Sequence, residues 1–297
     1  FQGSTNPSVS TIAAALTYAA DNGACIASCS FGSPAGKSYY YESDNLYKAE
    51  AGVEYDAIQY FIDPANANCD AVEGNIIVFS TGNSGKNMAG YPGALKDVIG
   101  VSAFGPDLLP TVYTNYGPGT NISAPGGDYY VSGVASMPAM ILSTIPNGLQ
   151  GTYTHADSKQ CGYMQGTSQA CPHVSGVAAL GLEYASKLGK SFTYDEFLAM
   201  IYSSVNNLDY YIETSKKKSN GIDFDLTKYW QKMGTGAIDT WRLYMQIEGT
   251  PTLVAKTGEL SKLALGEYFG GASANLTFLG VEVSDEAREA LGVVGNP

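Results

Sequence analysis

Residues 165–180 read Gln-Gly-Thr-Ser-Gln-Ala-Cys-Pro-His-Val-Ser-Gly-Val-Ala-Ala-Leu, and the rest of the chain is interpreted around this stretch. A glycine and a small polar residue lead into Ser168, and a run of small and apolar residues follows. This pattern predicts a serine in the first turn of a buried helix, with Pro172 where a missing N–H costs least. The N–H groups and positive dipole end of such a helix favour negative charge at the serine. Spacing alone favours a simpler interpretation, a core helix that happens to begin with Gly-Thr-Ser.

The nine residues from Gly166 to Val174 resemble the nucleophile signature of the subtilisin-like serine peptidases. That signature reads Gly-Thr-Ser, any residue, Ala, any residue, Pro-His-Val, and all seven of its fixed positions match. The resemblance implies that Ser168 is the nucleophile and that His173 is a structural histidine of the motif, not the catalytic one. Cys171 stands where the family usually has a small residue.

A second landmark follows the apolar run Ile76-Ile77-Val78-Phe79, which predicts a strand covered on both faces. The run ends in Ser-Thr-Gly-Asn-Ser-Gly, which resembles the family's oxyanion loop and implies that the Asn83 amide donates a hydrogen bond to the oxyanion. Alone, these letters would be an ordinary Gly-Asn turn. We expect Asn83→Ala to leave thermal stability nearly unchanged, because a polar side chain lining a wet cleft has no buried partner.

The resemblance further implies which residues bind a polypeptide substrate. Two short segments would line the pocket for the substrate side chain and pair with the substrate backbone: Ser30, Phe31, Gly32, Thr81 and Gly82. Phe31 replaces the usual leucine of the family, which a hydrophobic wall tolerates.

The predicted fold class is α/β, a parallel sheet with helices on both faces, as in subtilisin. Apolar residues recur at helical spacing over residues 9–20, and Gly23 and a strand at residues 25–29 follow, which is one αβ unit of a parallel sheet. A helix is predicted over residues 46–61, and a capping box at Thr193 and Glu196 predicts the start of another. The family resemblance implies further strands at 98–101, 122–126 and 141–144 and a closing turn at 234–239. The run Lys216-Lys217-Lys218 is most simply a solvated loop.

The resemblance covers residues 6–245, the C-terminal two-thirds of the family's catalytic domain. We expect residues 1–3 to be the remnant of a purification tag, residues 4–249 to be a partial catalytic domain, and residues 250–297 to begin a β-rich domain or extension.

The family's catalytic aspartate and histidine motifs, Asp-Ser/Thr-Gly and His-Gly-Thr, have no counterpart in the sequence. Its two histidines are His173 and His155, which lies in a predicted loop without the expected neighbours. A serine hydroxyl without a positioned base is a weak nucleophile, so the chain as written is expected to be nearly inert. The alternatives are a pseudo-peptidase that binds peptides or a partner without cleavage, and a half-domain completed by a separate chain. An α/β-hydrolase is disfavoured because no Gly-x-Ser-x-Gly elbow occurs.

The composition of the chain disfavours some classes of binding partner. The net charge of −12 and the pI near 4.5 argue against nucleic acid and anionic membrane surfaces, and no apolar run is long enough for a membrane span. The five cysteines have no metal-ligand spacing and are interpreted as buried small residues, with at least one unpaired. No cofactor is predicted, although the family resemblance leaves calcium open.

The resemblance also carries expectations about assembly and location. Family topology would place the strand at residues 25–29 beside the strand that bears the catalytic aspartate. Without that neighbour an apolar edge is open, so self-association is expected. The family is secreted or attached to the cell envelope, which the resemblance implies for the parent protein.

Overall fold

The computed structural model describes residues 9–33, 41–145, 161–212 and 216–249. The chain divides into two units, Phe1–Gly249 and Thr250–Pro297, and every described residue belongs to the first. The predicted tag remnant, His155 and the predicted β-rich segment after residue 249 all lie outside the described residues. The predicted domain organisation therefore stays a prediction.

Seven helices and fourteen strands are found in the described ranges. The helices are α1 Val9–Asp21, α2 Asp44–Glu50, α3 Gly52–Ile62, α4 Thr167–Lys187, α5 Tyr194–Ser203, α6 Asp209–Ile212 and α7 Thr240–Glu248. The strands are β1 Ile26–Cys29, β2 Val72–Glu73, β3 Ile76–Ser80, β4 Ile99–Phe104, β5 Ile122–Pro125, β6 Tyr130–Val131, β7 Val134–Ala135, β8 Ile141–Thr144, β9 Cys161–Met164, β10 Phe192–Thr193, β11 Val205–Asn206, β12 Lys216–Ser219, β13 Ile222–Asp225 and β14 Ala237–Ile238.

A six-stranded sheet forms the centre of the fold, in the order β1-β3-β4-β5-β14-β11. The first five strands are parallel, and β11 runs antiparallel at one edge. Parallel strands need crossover connections, which here include the helices between them. The predicted α/β class is confirmed, with one antiparallel strand added to a parallel sheet.

Strand β3 separates two hydrophobic layers, and all five of its residues are buried. Ile76 and Val78 belong to the layer formed with α4, α5 and α7. Ile77 and Phe79 belong to the layer formed with α1 and α3. Because successive strand side chains point to opposite faces, an unbroken apolar run fits a strand with helices on both sides. The loop after β3 therefore begins at the carboxyl edge of a fully covered strand.

Two predicted elements differ from the structure. The helix predicted over residues 46–61 is two helices, because the chain breaks at Ala51 (φ −119°) and restarts at Gly52 as α3. Glycine is a poor residue for a helix interior, and here it opens the second helix. The predicted strand at residues 141–144 forms, but it pairs with β9 in a separate antiparallel ribbon rather than with the main sheet.

The prediction of a solvated loop at the lysine run was wrong. Lys216–Ser219 is strand β12 of a hairpin, and the Lys217 side chain is only 1% exposed. Its ammonium group lies 2.6 Å from Asp128 Oδ2 and 3.2 Å from Asp107 Oδ2. Two acidic partners compensate for the cost of burying the cation. The alternation of exposed and buried residues along β12 is that of a strand with one covered face.

The cysteines also differ partly from the prediction. Cys29 and Cys171 are buried, whereas Cys25, Cys69 and Cys161 are partly exposed. Among the helices that the structure describes, none is long and apolar enough to cross a membrane.

Candidate active site

Ser168 is the second residue of α4 and is partly exposed, as the glycine-led motif predicts. Gly166 occupies the position before the helix with φ +153°, a conformation that L side chains rarely adopt. A Cβ at Gly166 would lie 2.9 Å from Gln169 Oε1 and 3.3 Å from Asn83 Nδ2. The glycine therefore lets the chain turn into the helix while a side chain from another loop approaches closely.

That side chain is Asn83, which lies in the loop after β3. Its Oδ1 accepts hydrogen bonds from the Thr167 backbone N–H at 2.8 Å and from Thr167 Oγ1 at 2.9 Å. A backbone N–H can only donate, so the oxygen of the Asn83 amide must face the helix. The NH₂ group of the same amide therefore lies beside Gly166. Thr167 is fully buried. The expectation that Asn83 has no buried partner was therefore wrong, because this side chain caps the serine helix.

The end of β1 holds the serine from the other side. Ser30 Oγ donates to the Ser168 carbonyl at 2.7 Å, and Ser168 Oγ donates to the Ser30 carbonyl at 3.2 Å. The Gly82 N–H donates to Thr167 Oγ1 at 3.1 Å. The first turn of α4 is thus fixed between the loops that follow two neighbouring parallel strands, where open α/β sheets bind ligands.

The sequence-predicted site residues all line one cavity of about 250 Å³. These are Ser168, Asn83, Ser30, Phe31, Gly32, Thr81 and Gly82, and the remaining lining residues are Ser33, Ser80, Ser84, Gly90 and Thr167. None of the lining residues carries a charge, and Phe31 packs edge-on against Phe79 at 5.7 Å between ring centroids. A larger groove of about 640 Å³ around Gln59 and Tyr194 contains none of the predicted residues.

Asn115, which no motif of the sequence indicates, organises the loop that carries Asn83. Asn115 is fully buried, its Nδ2 donates to the Thr81 carbonyl at 2.8 Å, and its Oδ1 accepts from the N–H groups of Ser84 (3.0 Å) and Lys86 (3.1 Å). It fixes the loop through the backbone, so no spacing in the sequence links it to Asn83. The N–H groups of Ser84 and Lys86 face the protein interior although the loop itself is largely exposed, so they need an acceptor from elsewhere. That need is the only signal available in advance.

The described hydrogen bonds link neither of two nearby groups, His173 and Cys171, to the Ser168 hydroxyl. His173 Nδ1 lies 2.8 Å from the Gln169 carbonyl one turn back in α4, so the ring is oriented by the helix backbone. Burial raises the pKa of the Cys171 thiol, whose Sγ donates to the Val78 carbonyl at 3.4 Å, and a protonated buried thiol is unreactive. Within the described ranges, no group of three or more side chains could hold a metal ion.

A serine at the start of a helix packed against the sheet, facing a crevice at the carboxyl edge of parallel strands, is typical of α/β serine hydrolases. The chain belongs to the Subtilase family, peptidase S8, whose family model matches residues 1–225. The resemblance seen in the serine motif is therefore confirmed at the level of the family.

Several curated proteases are similar to part of the chain. The "Extracellular basic protease" of Dichelobacter nodosus is 34% identical over 124 residues, which cover 41% of this chain and 18% of that protein. The "Alkaline elastase YaB" of Bacillus sp. (strain YaB) is 29% identical over 173 residues, 58% of this chain and 34% of that protein. "Subtilisin Savinase" of Lederbergia lenta is 30% identical over the same length, which is 47% of that protein. The chain thus spans less than half of each of these relatives.

Solved structures share the fold at low identity. The "Crystal Structure of a Lanthipeptide Protease" superposes with a TM-score of 0.58 and 21% identity over 81% of this chain and 66% of that chain. The "Structure of Patellamide maturation protease PatA" gives a TM-score of 0.56 and 22% identity over 82% of this chain and 70% of that chain. These likenesses support the architecture of the fold.

Proposed function

We propose that this chain carries the nucleophile and the oxyanion site of a serine endopeptidase that cleaves peptide bonds through an acyl-enzyme on Ser168. The observation that carries the proposal is the convergence of all the predicted site residues on one cavity, with Ser168 at a helix N-terminus. The Asn83 NH₂ group and the Ser168 backbone N–H are the oxyanion donors. Such donors stabilise charge that develops only in the transition state.

The polypeptide substrate occupies the same cavity. The segment of Ser30, Phe31 and Gly32 and the segment of Thr81 and Gly82 form its facing walls and supply backbone groups that can pair with an extended peptide. The walls are uncharged, so the backbone of the substrate contributes a large share of the binding.

The catalytic base comes from polypeptide outside the residues of this sequence. Ser168 Oγ donates to the Ser30 carbonyl, and the contact described for His173 is that of its Nδ1 with the Gln169 carbonyl in its own helix. Loss of the histidine costs about 10⁶ in kcat, a figure measured in subtilisin, which is a member of this same family. This chain alone is therefore nearly inert as a peptidase, and its parent is active once an aspartate and histidine pair is supplied.

The missing partner for the site joins at β1. Within the described residues β1 pairs with β3 alone, and Ile26, Ala27 and Ser28 are partly or fully exposed, whereas β3 is buried throughout. An edge strand with unpaired backbone groups accepts a further strand or a second copy of the chain. The parent acts outside the cell or at its envelope, in keeping with relatives named "Extracellular basic protease" and "Cell wall-associated protease".

A fluorophosphonate probe, which labels activated serines, tests the proposal. The isolated chain should remain unlabelled at pH 8, and the protein encoded with its natural upstream sequence should be labelled at Ser168, with Ser168→Ala as the control. Stoichiometric labelling of the isolated chain within minutes would overturn the external base and direct attention to His155. An unlabelled long form that still binds peptides would establish the pseudo-peptidase alternative instead.

A further inference from the structure

Two partly exposed cysteines lie close to each other at the amino end of β1, whereas Ser168 lies beside the carboxyl end of the same strand. Cys25 immediately precedes β1, and Cys69 lies in the connection that leads to β2. Cys25 Sγ donates to the carbonyl of Asn68, the residue before Cys69, at 3.2 Å. The pKa of the Cys25 thiol is raised, mainly by burial and to a smaller extent by the neighbouring Cys69. Cys25 therefore contacts the residue that immediately precedes Cys69, although the two cysteines are distant in sequence.

A set of hydrogen bonds made by Asn68 and Asn75 holds the connection that bears Cys69 beside Cys25. The Asn68 side-chain NH₂ donates to the carbonyls of Ala20 at 2.7 Å and Ala24 at 3.4 Å, which fastens this connection to the end of α1. The Asn68 backbone N–H in turn donates to Asn75 Oδ1 at 3.0 Å. Asn75 is fully buried, and its own NH₂ group donates to two further carbonyls. The connection that bears Cys69 is thus held in one place beside Cys25.

The other cysteines of the described chain are poorly placed for this chemistry. Cys29 and Cys171 are buried, and burial raises the pKa of both thiols, so neither offers a reactive thiolate. Cys161 begins β9. A metal ion at Cys25 and Cys69 would need a third or fourth ligand, and the part of the chain that is described holds no such cluster.

We propose that Cys25 and Cys69 form a reversible disulfide that fastens the edge strand β1 to the body of the domain. The oxidant is a low-molecular-weight disulfide such as oxidised glutathione. One cysteine thiolate attacks it and releases one thiol; the second cysteine then attacks the mixed disulfide and releases the other. The protein loses two electrons and two protons, and one equivalent of the small disulfide becomes two thiols.

The disulfide would hold the amino end of β1, and the carboxyl end of the same strand leads into the cavity wall at Ser30. The two residues are 44 positions apart (69 − 25), so the cross-link restricts a long loop of the unfolded chain. For a domain of this size, we expect oxidation to raise Tm by roughly 10 °C. Because β1 ends next to Ser30, the oxidised form keeps the serine-contacting end of the strand in place.

The test equilibrates the chain at about pH 8.5 in oxidised or reduced glutathione and then alkylates it with N-ethylmaleimide under denaturing conditions. The alkaline pH is needed because the thiolate is the reacting form and the pKa of Cys25 is raised. Of the five cysteines, all should be alkylated after reduction and three after oxidation, with a peptide that joins Cys25 to Cys69. Cys161→Ser should keep both the link and the rise in Tm, and Cys69→Ser should lose both.

The wild-type mass measurement stands even if a variant fails to fold. Five alkylated cysteines after oxidation, glutathione adducts without a cross-link, or a link to a different cysteine would each overturn the proposal. An equal Tm for the oxidised and reduced wild-type chain would overturn the fastening of β1.

Discussion

Substitution of Asn83 separates the helix-capping role seen in the structure from the oxyanion role that we propose for the same side chain. Asn83→Ala removes the Oδ1 that accepts two hydrogen bonds from Thr167 and also removes the NH₂ donor. Loss of a helix cap costs about 0.5–2 kcal/mol. Asn83 is exposed, so water can reach the vacated space and the cost should stay near the middle of that range. For a domain of this size, about 1 kcal/mol corresponds to a fall in Tm of about 2–4 °C.

Asn83→Asp is the matched variant because it keeps the acceptor and loses the donor. Its carboxylate at the N-terminus of α4 adds about 0.3–1 kcal/mol of favourable interaction with the helix dipole. We therefore expect Asn83→Asp to keep or raise Tm, measured by calorimetry or circular dichroism on this chain. Ser84→Ala, an exposed neighbour in the same loop, controls for general effects on the loop.

Activity should respond differently from stability. In an active parent, both Asn83 variants should lower kcat by about 10²–10³ with little change in KM, a magnitude that was measured in subtilisin, of this same family. Equal loss of Tm in Asn83→Asp and Asn83→Ala would refute the capping role. A parent that keeps full kcat with Asn83→Asp would refute the oxyanion role.

Three further predictions concern the core and the edge of the sheet. Lys217→Met should lower the free energy of unfolding, measured by urea denaturation, by about 3–5 kcal/mol, because Asp128 is left buried without its cation. Adding Asp128→Asn should recover part of the loss, and a double variant less stable than the single one would contradict this. Burial raises the pKa of Glu54 above its ordinary value of 4.5. The stability that this gives the protonated form is present below that value and is lost as pH rises through the folded pKa. Glu54→Gln should therefore gain stability relative to wild type as pH rises above about 4.5, and parallel pH profiles would exclude this. The isolated chain should self-associate through β1, and a clean monomer in sedimentation across a wide concentration range would argue against the open edge.

The sequence predicted the parts of the fold in which local pattern and tertiary environment agree. The apolar run of β3 is buried on both faces, and the capping box at Thr193 forms both of its hydrogen bonds. Each signal lies within a few residues, and the environment that it predicts is the one found. The lysine run was misread because its three charges suggest water, whereas strand alternation turns Lys217 inward toward two aspartates from distant loops. Nothing in the run itself indicates those partners.

The N-terminal cap of the serine helix could not be predicted from local sequence rules. A helix is normally capped by a side chain at its own first position, but Gly166 has none, so local rules find this helix uncapped. The cap comes from Asn83, 84 residues earlier in the chain than Thr167, and only the pairing of β1, β3 and α4 brings the two together. The resemblance in the motif implies that the Asn83 NH₂ group is the oxyanion donor that we propose, and in the fold the oxygen of the same amide holds the helix that presents Ser168. Because the oxygen and the NH₂ group belong to one planar amide, the hydrogen bonds that fix the helix also set the position of the proposed donor.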